Sequence, residues 1–212
     1  MFDEITLFGS LVPVSGIMFA IYILILLVVV ASADYKCRIE GKVPQSMKKQ
    51  IVDLHNQLRQ QLANGEVQGA TGKLPKAKNM PMLQWDCDME ALAAERLKNG
   101  RLDVNFLGMA GYNDDAFTGT GCVPQPLNFE WDFGRRIRNW WKEAGSIAEQ
   151  EGPVVRLPSN NQIHFGQMAF ANVTGIGCNI YKSGRVTFIL CLYNSRIRAN
   201  AVIYEKAEAK AV

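Results

Sequence analysis

Few side chains in this 212-residue sequence could carry acid–base or nucleophilic chemistry. The two histidines are His55 and His164, and no histidine lies between them. A hydrolase needs a nucleophile with a base within reach. The serines on either side of His164 fit structural positions instead, because Ser159 suits a helix N-cap and Ser183 a hairpin turn. These residues alone therefore do not indicate a complete nucleophile–base pair.

His55 belongs close to the apolar face of a helical stretch. It follows Leu54 directly and precedes Leu58 by three residues, which places it beside the buried stripe of an amphipathic helix. A histidine in such a position is usually a core residue whose ring nitrogens are hydrogen-bonded. We therefore expect His55 to be structural.

The N-terminal region carries a nearly continuous apolar run at residues 11–31, and its densest part, Ile17–Val30, has 14 residues. That part is short for a spanning helix, which needs about 20 residues, but it suits a secretory h-region. An A-x-A pattern ends at Ala33, so residues 1–33 are predicted to be a signal peptide cleaved before Asp34. Because the segment before the run has no Lys or Arg, the alternatives are a start further downstream and an uncleaved signal-anchor.

Either outcome places the rest of the chain on the oxidising side of a membrane, where cysteines are more often bridged than metal-binding. No C-x-x-C pair exists, so a zinc ribbon is not indicated. The number of cysteines is odd, so one is left over, and we expect this to be Cys37. The cysteines are Cys37, Cys87, Cys122, Cys178 and Cys191.

Composition favours one domain with a substantial core, since 48% of the residues are apolar. A net charge of +3, from 23 basic and 20 acidic residues, does not indicate a nucleic-acid partner. Hydrophobic periodicity and Gly-containing turns then predict the elements. We expect helices at Gln45–Ala63, Leu83–Lys98, Phe133–Ile147 and Asn160–Ala171, strands at Ile176–Tyr181 and Val186–Tyr193, and a short strand around Phe106–Gly111.

Four segments in this order resemble a known family. They are IVDLHNQLR (51–59), MPMLQWDCDMEALAAERL (80–97), IRNWWKEAG (137–145), and HFGQMAFANVTGIGC (164–178) followed by FILCLYN (188–194). Together they resemble the CAP superfamily of cysteine-rich secretory proteins, antigen 5 and pathogenesis-related proteins. The cysteine after Trp-Asp looks most like that of the helminth venom-allergen-like, activation-associated secreted branch.

The resemblance implies an α/β fold, a CAP-type α-β-α sandwich with a small antiparallel sheet between helical layers. Amphipathic helices flanking a hairpin that is apolar on both faces would also form three layers. The domain is expected at residues 34–198, and residues 199–212 are expected to be a weakly helical, frayed tail. By resemblance Cys178 pairs with Cys191, and Cys87 is assigned to Cys122.

The family's cleft usually holds two histidines and two glutamates. Here His164 matches one histidine and Glu143 one glutamate, while Tyr112 stands at the other glutamate position. The second histidine is missing from residues 100–110. Zinc usually takes three protein ligands and a water at a catalytic site. We therefore expect no metal, no cofactor and no catalytic residue, and we interpret His164 and Glu143 as a pair that either polarises a water or joins two helices.

Three aromatic residues at alternating positions precede the third predicted helix: Phe129, Trp131 and Phe133. Some members of the family bind sterols through an aromatic loop or fatty acids between helices. An exposed apolar loop usually marks a ligand or partner, so these residues are candidate lipid contacts. The alternative is that they pack in the core.

The function expected from these features is extracellular binding of a host or tissue protein, with an immunomodulatory effector as one form, and without catalysis. A carrier of sterols or fatty acids and a weak metal-dependent hydrolase are the alternatives. The sequence Asn172-Val173-Thr174 is a candidate glycosylation site for a secreted chain. A membrane contact is expected only through an uncleaved N-terminal segment.

Overall fold

The computed structural model describes residues 35–39, 41–105, 107–119 and 125–208. These residues belong to one compact unit, Asp34–Val212. The predicted signal peptide, residues 1–33, lies outside the described residues. Within the described ranges, no helix combines the length and the apolar character needed to cross a bilayer.

The four predicted helices and the predicted hairpin appear in the predicted order, and the structure adds further short strands. The helices are α1 (Gln45–Ala63), α2 (Cys87–Arg96), α3 (Arg135–Lys142) and α4 (Ile163–Ala169). The strands are β1 (Gln84–Trp85), β2 (Leu97–Lys98), β3 (Arg101–Leu102), β4 (Gly111–Thr118), β5 (Val154–Arg156), β6 (Gly175–Ser183), β7 (Val186–Tyr193) and β8 (Val202–Glu205). A π-helical turn, Glu130–Gly134, leads into α3, and 3₁₀ turns at Glu143–Ser146 and Asn160–Gln162 flank the approach to α4.

The main sheet has the strand order β1–β6–β7–β4. Strand β1 is parallel to β6, and the other neighbours are antiparallel. Side chains of β7 alternate between two apolar layers: Ile189 and Cys191 join the core that contains α1, α3 and α4, and Leu190 and Leu192 pack with α2. The predicted α-β-α sandwich is therefore confirmed.

Helix α1 has the predicted bounds, Gln45–Ala63. The predicted stripe is buried, since Met47, Ile51, Leu54, Leu58 and Leu62 are each at most 8% exposed. His55 is fully buried on the same helix. Its Nδ1 lies 2.8 Å from the Ile51 carbonyl oxygen and its Nε2 lies 3.0 Å from the Tyr193 hydroxyl oxygen. The interpretation of His55 as a hydrogen-bonded core histidine is confirmed.

Helix α2 begins later than the sequence suggests. Gln84 and Trp85 pair with β6, and the Asp86 carboxylate accepts hydrogen bonds from the backbone of Asp88 and Met89, which fixes the first turn. The helix backbone lies against β6 at Gly177, where a Cβ would come within 2.1 Å of the Glu90 nitrogen. Only glycine permits this close packing of α2 on the sheet.

The chain end contradicts the expected frayed tail. Strand β8 pairs with β5, and its residues Ile203 and Tyr204 are buried. The Tyr204 hydroxyl also donates to the Pro75 carbonyl oxygen at 2.9 Å. The Ala, Lys and Glu content around it suggested a weak helix, but the run Val-Ile-Tyr favours a strand once a partner is present.

The disulfides confirm one predicted pairing and correct another. Cys178 and Cys191 are bonded directly across β6 and β7, as predicted. Cys87 is bonded to Cys37, with a Cα–Cα distance of 5.3 Å, so both the assignment of Cys87 to Cys122 and the expectation of a leftover Cys37 are wrong. The segment before α1 lies beside the start of α2, a proximity that the spacing of cysteines cannot reveal. Cys122 lies outside the described residues.

Arg59 of α1 joins four separate carbonyl groups in the interior. It is 1% exposed and donates hydrogen bonds through Nη1 to the oxygens of Met168 (2.7 Å) and Phe170 (3.1 Å). Nη2 donates to the oxygens of Pro81 (2.9 Å) and Val173 (3.3 Å). Burial lowers the pKa of Arg59 to about 10, which leaves the guanidinium charged at neutral pH. One side chain therefore ties α1 to the end of α4, to the turn that follows α4 and to the segment before β1.

We expect Arg59→Leu to lower the free energy of unfolding by at least about 3 kcal/mol, because it leaves several buried carbonyl oxygens without donors. Chemical denaturation of the purified domain measures this change. Gln57→Leu is the matched control, since Gln57 is exposed on the same helix and should change stability by less than about 0.5 kcal/mol. Equal stabilities of the two variants would contradict the structural role of Arg59.

Peptide mapping under non-reducing conditions should recover a peptide pair that links Cys37 to Cys87. The bridge spans 50 residues, so Cys37→Ser should lower the free energy of unfolding by about 4 kcal/mol in the chain-entropy estimate. Recovery of a Cys87–Cys122 pair from the native protein would contradict the structure.

Candidate functional site

The end of α3 and the start of α4 bring one imidazole and one carboxylate together. His164 Nδ1 lies 2.6 Å from Glu143 Oε1. The other carboxylate oxygen, Oε2, accepts a hydrogen bond from the Phe165 backbone at 3.0 Å. Both oxygens of Glu143 are therefore used to hold the first turn of α4, and Trp140 stacks on the His164 ring with centroids 6.0 Å apart.

The charge state of His164 follows from competing effects. Burial disfavours the imidazolium and lowers the pKa of His164, but the hydrogen bond and negative charge of Glu143 raise it. The charges of Asp114 and Asp115 add to this, and the net pKa lies above its ordinary value. Below this raised pKa, the His164 imidazolium and the Glu143 carboxylate form an ion pair.

Strand β4 forms the wall of the cleft beside His164. Tyr112 and Asp114 line the cleft, and Asn113 between them points inward, where its Nδ2 donates to the His164 carbonyl oxygen at 3.1 Å. Burial raises the pKa of Asp114, attraction to His164 opposes this, and repulsion by Asp115 adds to it. The strand thus fixes the backbone of α4 and places a carboxyl group in the same cavity.

Gln167 of α4 connects the cleft to the segment that follows β7. Its Nε2 donates to the Ser195 oxygen at 2.6 Å, and its Oε1 accepts from the Ile197 backbone at 3.2 Å. Gly111 makes room for this side chain, since a Cβ there would lie 2.0 Å from Gln167 Oε1. The segment after β7 therefore forms the wall opposite β4.

The resulting cleft has a volume of about 650 Å³. Its second wall carries Arg196 and Arg198. Arg196 Nε donates to the Ala110 oxygen at 2.9 Å, and within the described residues neither arginine forms an ion pair with a carboxylate. The lining residues are Tyr112, Asp114, Asn160, Ile163, His164, Gln167, Arg196, Ile197, Arg198 and Ala199.

The structure brings the predicted cleft residues together. His164 and Tyr112 both line the cleft, and Glu143 contacts His164 from behind. Asp114, Arg196 and Arg198 were not predicted as a group. The sequence does not reveal this group, because β4 shows no alternating pattern and nothing in the sequence places the segment after β7 beside it.

The remaining ligand set does not fit a zinc site of the kind that the resemblance suggests. Of the four cleft positions that the resemblance names, one imidazole and one carboxylate are present, and both oxygens of that carboxylate, Glu143, are already hydrogen-bonded within the protein. No three His, Cys, Asp or Glu side chains gather in a metal-binding group in the part of the chain that the structure describes. Catalytic zinc usually has three protein ligands.

The aromatic candidates do not form the expected loop. The π-helical turn Glu130–Gly134 occupies this segment and buries Phe133 completely. Phe129 packs partly against the core, and Trp131 remains 37% exposed with the Arg135 guanidinium 4.9 Å from its ring centre. The expected place of Phe133 in an exposed loop is therefore wrong, because helical winding turns it inward.

The sequon residue Asn172 is exposed in a turn after α4. It lines a second cavity of about 640 Å³ together with Met80, Phe170 and Tyr204. This position is accessible to modification, and glycosylation of Asn172 stays a prediction.

The two histidines should titrate far apart in an NMR experiment. We expect the pKa of His164 above the ordinary value of about 6.5 and that of His55, which burial lowers, at about 4. Glu143→Gln should lower the pKa of His164 and leave that of His55 unchanged. A pKa of His164 below its ordinary value in the native protein would show that the ion pair does not form.

The His164–Glu143 pair should also stabilise the folded protein in a pH-dependent way. Because the folded-state pKa of His164 is raised, its contribution is present in full below about pH 6.5 and is lost as the pH rises through the folded-state pKa. The difference in unfolding free energy between the native protein and Glu143→Gln should therefore shrink from about pH 5.5 to pH 8. A difference that grows over this range would contradict the assignment.

Residues 52–193 match the family described as "CAP: Cysteine-rich secretory protein family". Three curated relatives are similar at the sequence level. The chain is 27% identical over 150 residues to Ancylostoma secreted protein of Ancylostoma caninum, covering 69% of this chain and 34% of that protein. It is 27% identical to Scoloptoxin SSD552 of Scolopendra dehaani, covering 70% and 68%, and 29% identical to Venom allergen 3 homolog of Dinoponera quadriceps, covering 74% and 71%.

Two solved structures are similar over most of the chain. Na-ASP-1 superposes with a TM-score of 0.72 at 24% identity, covering 84% of this chain and 43% of that one, and shows the fold. BmVAL-1 superposes with a TM-score of 0.70 at 27% identity, covering 82% and 88%. The chain thus spans about a third of the length of Ancylostoma secreted protein and under half that of Na-ASP-1. The match over residues 52–193, more than half of the sequence, establishes that the chain belongs to the CAP (cysteine-rich secretory protein) family.

Proposed function

We propose that this chain is a secreted extracellular binding protein whose CAP domain acts on a protein partner without catalysing a reaction. The names of its relatives, a secreted protein and a venom allergen homolog, support an extracellular site of action. The predicted signal peptide and the two disulfides are consistent with it. An immunomodulatory effector is one form that this function would take.

The main support for this proposal is that both carboxylate oxygens of Glu143 are already hydrogen-bonded within the protein. Its two carboxylate oxygens bind His164 and the backbone of Phe165, so the carboxylate organises the start of α4. General-base catalysis requires a carboxylate or imidazole in hydrogen-bond reach of the proton that it removes. Among the described residues, Glu143 is the side chain hydrogen-bonded to the His164 ring, and no hydroxyl or thiol is hydrogen-bonded to that ring. A structural role for the pair accounts for these contacts.

The open cleft supports binding. Its lining combines a carboxyl group, an imidazole and two guanidinium groups around apolar residues such as Ile163 and Ile197. Arginines without carboxylate partners retain donors for a ligand. This mixture suits the polar side chains and backbone of a protein segment better than it suits a purely apolar molecule.

Lipid carriage is the second candidate. Leu127 and Trp131 are each 37% exposed on the segment that leads into α3, and a cavity of about 340 Å³ lies between Val67, Trp141 and Ala144. Burial of Phe133 leaves a smaller apolar surface than the sequence suggested. The weak metal-dependent hydrolase is the third candidate and rests on the His164–Glu143 pair alone.

A cleft-filling variant tests the proposal. Full-length protein with Ala199→Trp, at the cleft wall, should capture at least about tenfold less partner from a detergent-free extract of extracellular matrix than the native protein does, because the indole occupies the cavity. Asn79→Trp is the matched control, since Asn79 is exposed beside the second cavity. Quantitative mass spectrometry of the captured proteins measures the effect.

The alternatives give different results in the same preparation. A sterol or fatty acid recovered by organic extraction in a one-to-one ratio, and reduced by Trp131→Ser, would favour lipid carriage. Hydrolytic activity that His164→Ala abolishes would favour the enzyme. Either result, or equal capture by the native protein and Ala199→Trp, would contradict the proposal.

A further inference from the structure

Strand β4 is the outer strand of the main sheet, and its register shows which backbone groups face outward. Cys178 and Cys191 lie opposite each other with a Cα–Cα distance of 4.1 Å, which is the spacing of a non-hydrogen-bonded antiparallel pair. The N–H and C=O of Cys191 therefore point away from β6 and towards Asn113 of β4. Odd-numbered residues of β4 bond to β7, and the hydrogen bond from Gly119 to the Arg185 oxygen continues this pattern at 2.7 Å.

The even-numbered residues Tyr112, Asp114 and Ala116 consequently direct their N–H and C=O groups away from the sheet. Across the described ranges, no hydrogen bond outside the β4–β7 ladder reaches the backbone of these residues. Tyr112 and Asp114 are half-buried because they border the cleft, and Ala116 is exposed. Unpaired groups on an edge strand are a template for another strand.

The wall opposite this edge carries the two arginines. Arg196 is fixed near the start of β4, because its Nε is bonded to the Ala110 oxygen. Its two Nη groups and the exposed guanidinium of Arg198 have no carboxylate partner among the described residues. Arginine binds carboxylates through paired N–H groups, so a carboxylate near Tyr112 would complete this end of the cleft.

A second copy of this chain is a poor occupant. Antiparallel pairing of two β4 strands over nearly their full length, with outward groups opposite each other, has two registers: one places Asp114 opposite Asp114 and the other places Asp115 opposite Asp115. Like charges directly opposite in a sheet destabilise the pair. Charged side chains on an edge strand are also a common protection against self-association.

We propose that the outer edge of β4 binds an extended segment of a protein partner as an additional strand. The segment carries an acidic side chain that reaches Arg196 and Arg198, and a basic or hydroxyl side chain two residues away that faces Asp114. The two-residue spacing follows because side chains alternate along a strand. This inference rests on the proposed function, since it specifies the kind of protein partner that the cleft binds.

The experiment is selection of random seven-residue peptides, displayed on phage, against the immobilised full-length protein. We expect selected peptides with an acidic residue two positions from Lys, Arg, Ser or Thr. Synthetic copies should protect the amides of Tyr112, Asp114 and Ala116 from hydrogen exchange. N-methylation at alternate peptide positions should weaken binding at least about tenfold, because it removes the strand-pairing donors.

Two variants separate the backbone from the charge. Ala116→Pro removes an outward N–H without breaking the ladder to β7, and should weaken peptide binding at least about tenfold, while Ala116→Ser keeps the N–H and the affinity. Arg198→Gln should weaken binding of the acidic peptide. A peptide in which the acidic residue is replaced by its amide should bind the native protein more weakly, and Arg198→Gln should not weaken it further. If Ala116→Pro does not fold, the test is whether the peptide protects the amides of Tyr112, Asp114 and Ala116 from hydrogen exchange in the native protein.

The inference is overturned if no peptide is selected, if Ala116→Pro binds as well as Ala116→Ser, or if protection appears elsewhere. It is also overturned if the three amides become protected through dimerisation without peptide. If peptides bind at another surface but Ala199→Trp still reduces partner capture, the added strand is wrong and the proposed function is retained. Loss of cleft-dependent capture would remove the proposed function itself.

Discussion

The fold depends on satisfying backbone carbonyls that its irregular segments cannot satisfy by themselves. The turns before β1 and after α4 have carbonyl groups in the interior, and Arg59 supplies donors to Pro81, Met168, Phe170 and Val173. A guanidinium has five N–H donors in a fixed plane, so one side chain can bind several oxygens at once. A buried cation with no carboxylate beside it is costly, but this arrangement replaces its hydration with carbonyl dipoles. The result is a fixed position for α4, from which the cleft is built.

The position of α4 determines which polar groups line the cleft. His164 in the first turn of α4 lies against the end of α3. There, one Glu143 carboxylate oxygen binds the His164 ring and the other accepts a hydrogen bond from the Phe165 backbone. A residue that could serve acid–base chemistry in another setting is thereby used to organise a helix start. The opposite wall comes from the chain after β7, held by Gln167 and by the contact of Arg196 with Ala110. The cleft that we propose as a binding site is thus built from segments that also complete backbone hydrogen bonds.

The sequence was sufficient wherever a local pattern determines structure. Helix α1 was predicted to the residue because its apolar spacing is unbroken from Met47 to Leu62, and the hairpin of β6 and β7 because its strands are apolar on both faces. Strand β4 was misplaced because GYNDDAFT has no alternation and many residues that disfavour strands. The Cys37–Cys87 bridge, the strand at Val202–Glu205 and the arginine wall depend on contacts between distant segments. Periodicity carries no information on such contacts, and the family resemblance supplied only the parts that its motifs cover.

The cleft has the fold of its family, and we propose that it does not bind zinc tightly, because two of the four cleft residues that the resemblance implies are absent. Calorimetric titration of zinc into the metal-free protein at pH 7 tests it most directly. We predict no saturable one-to-one binding in the micromolar range, because Glu143 is already engaged and no three His, Cys, Asp or Glu side chains gather in a metal-binding group among the described residues. Stoichiometric micromolar binding that His164→Ala abolishes would contradict the account.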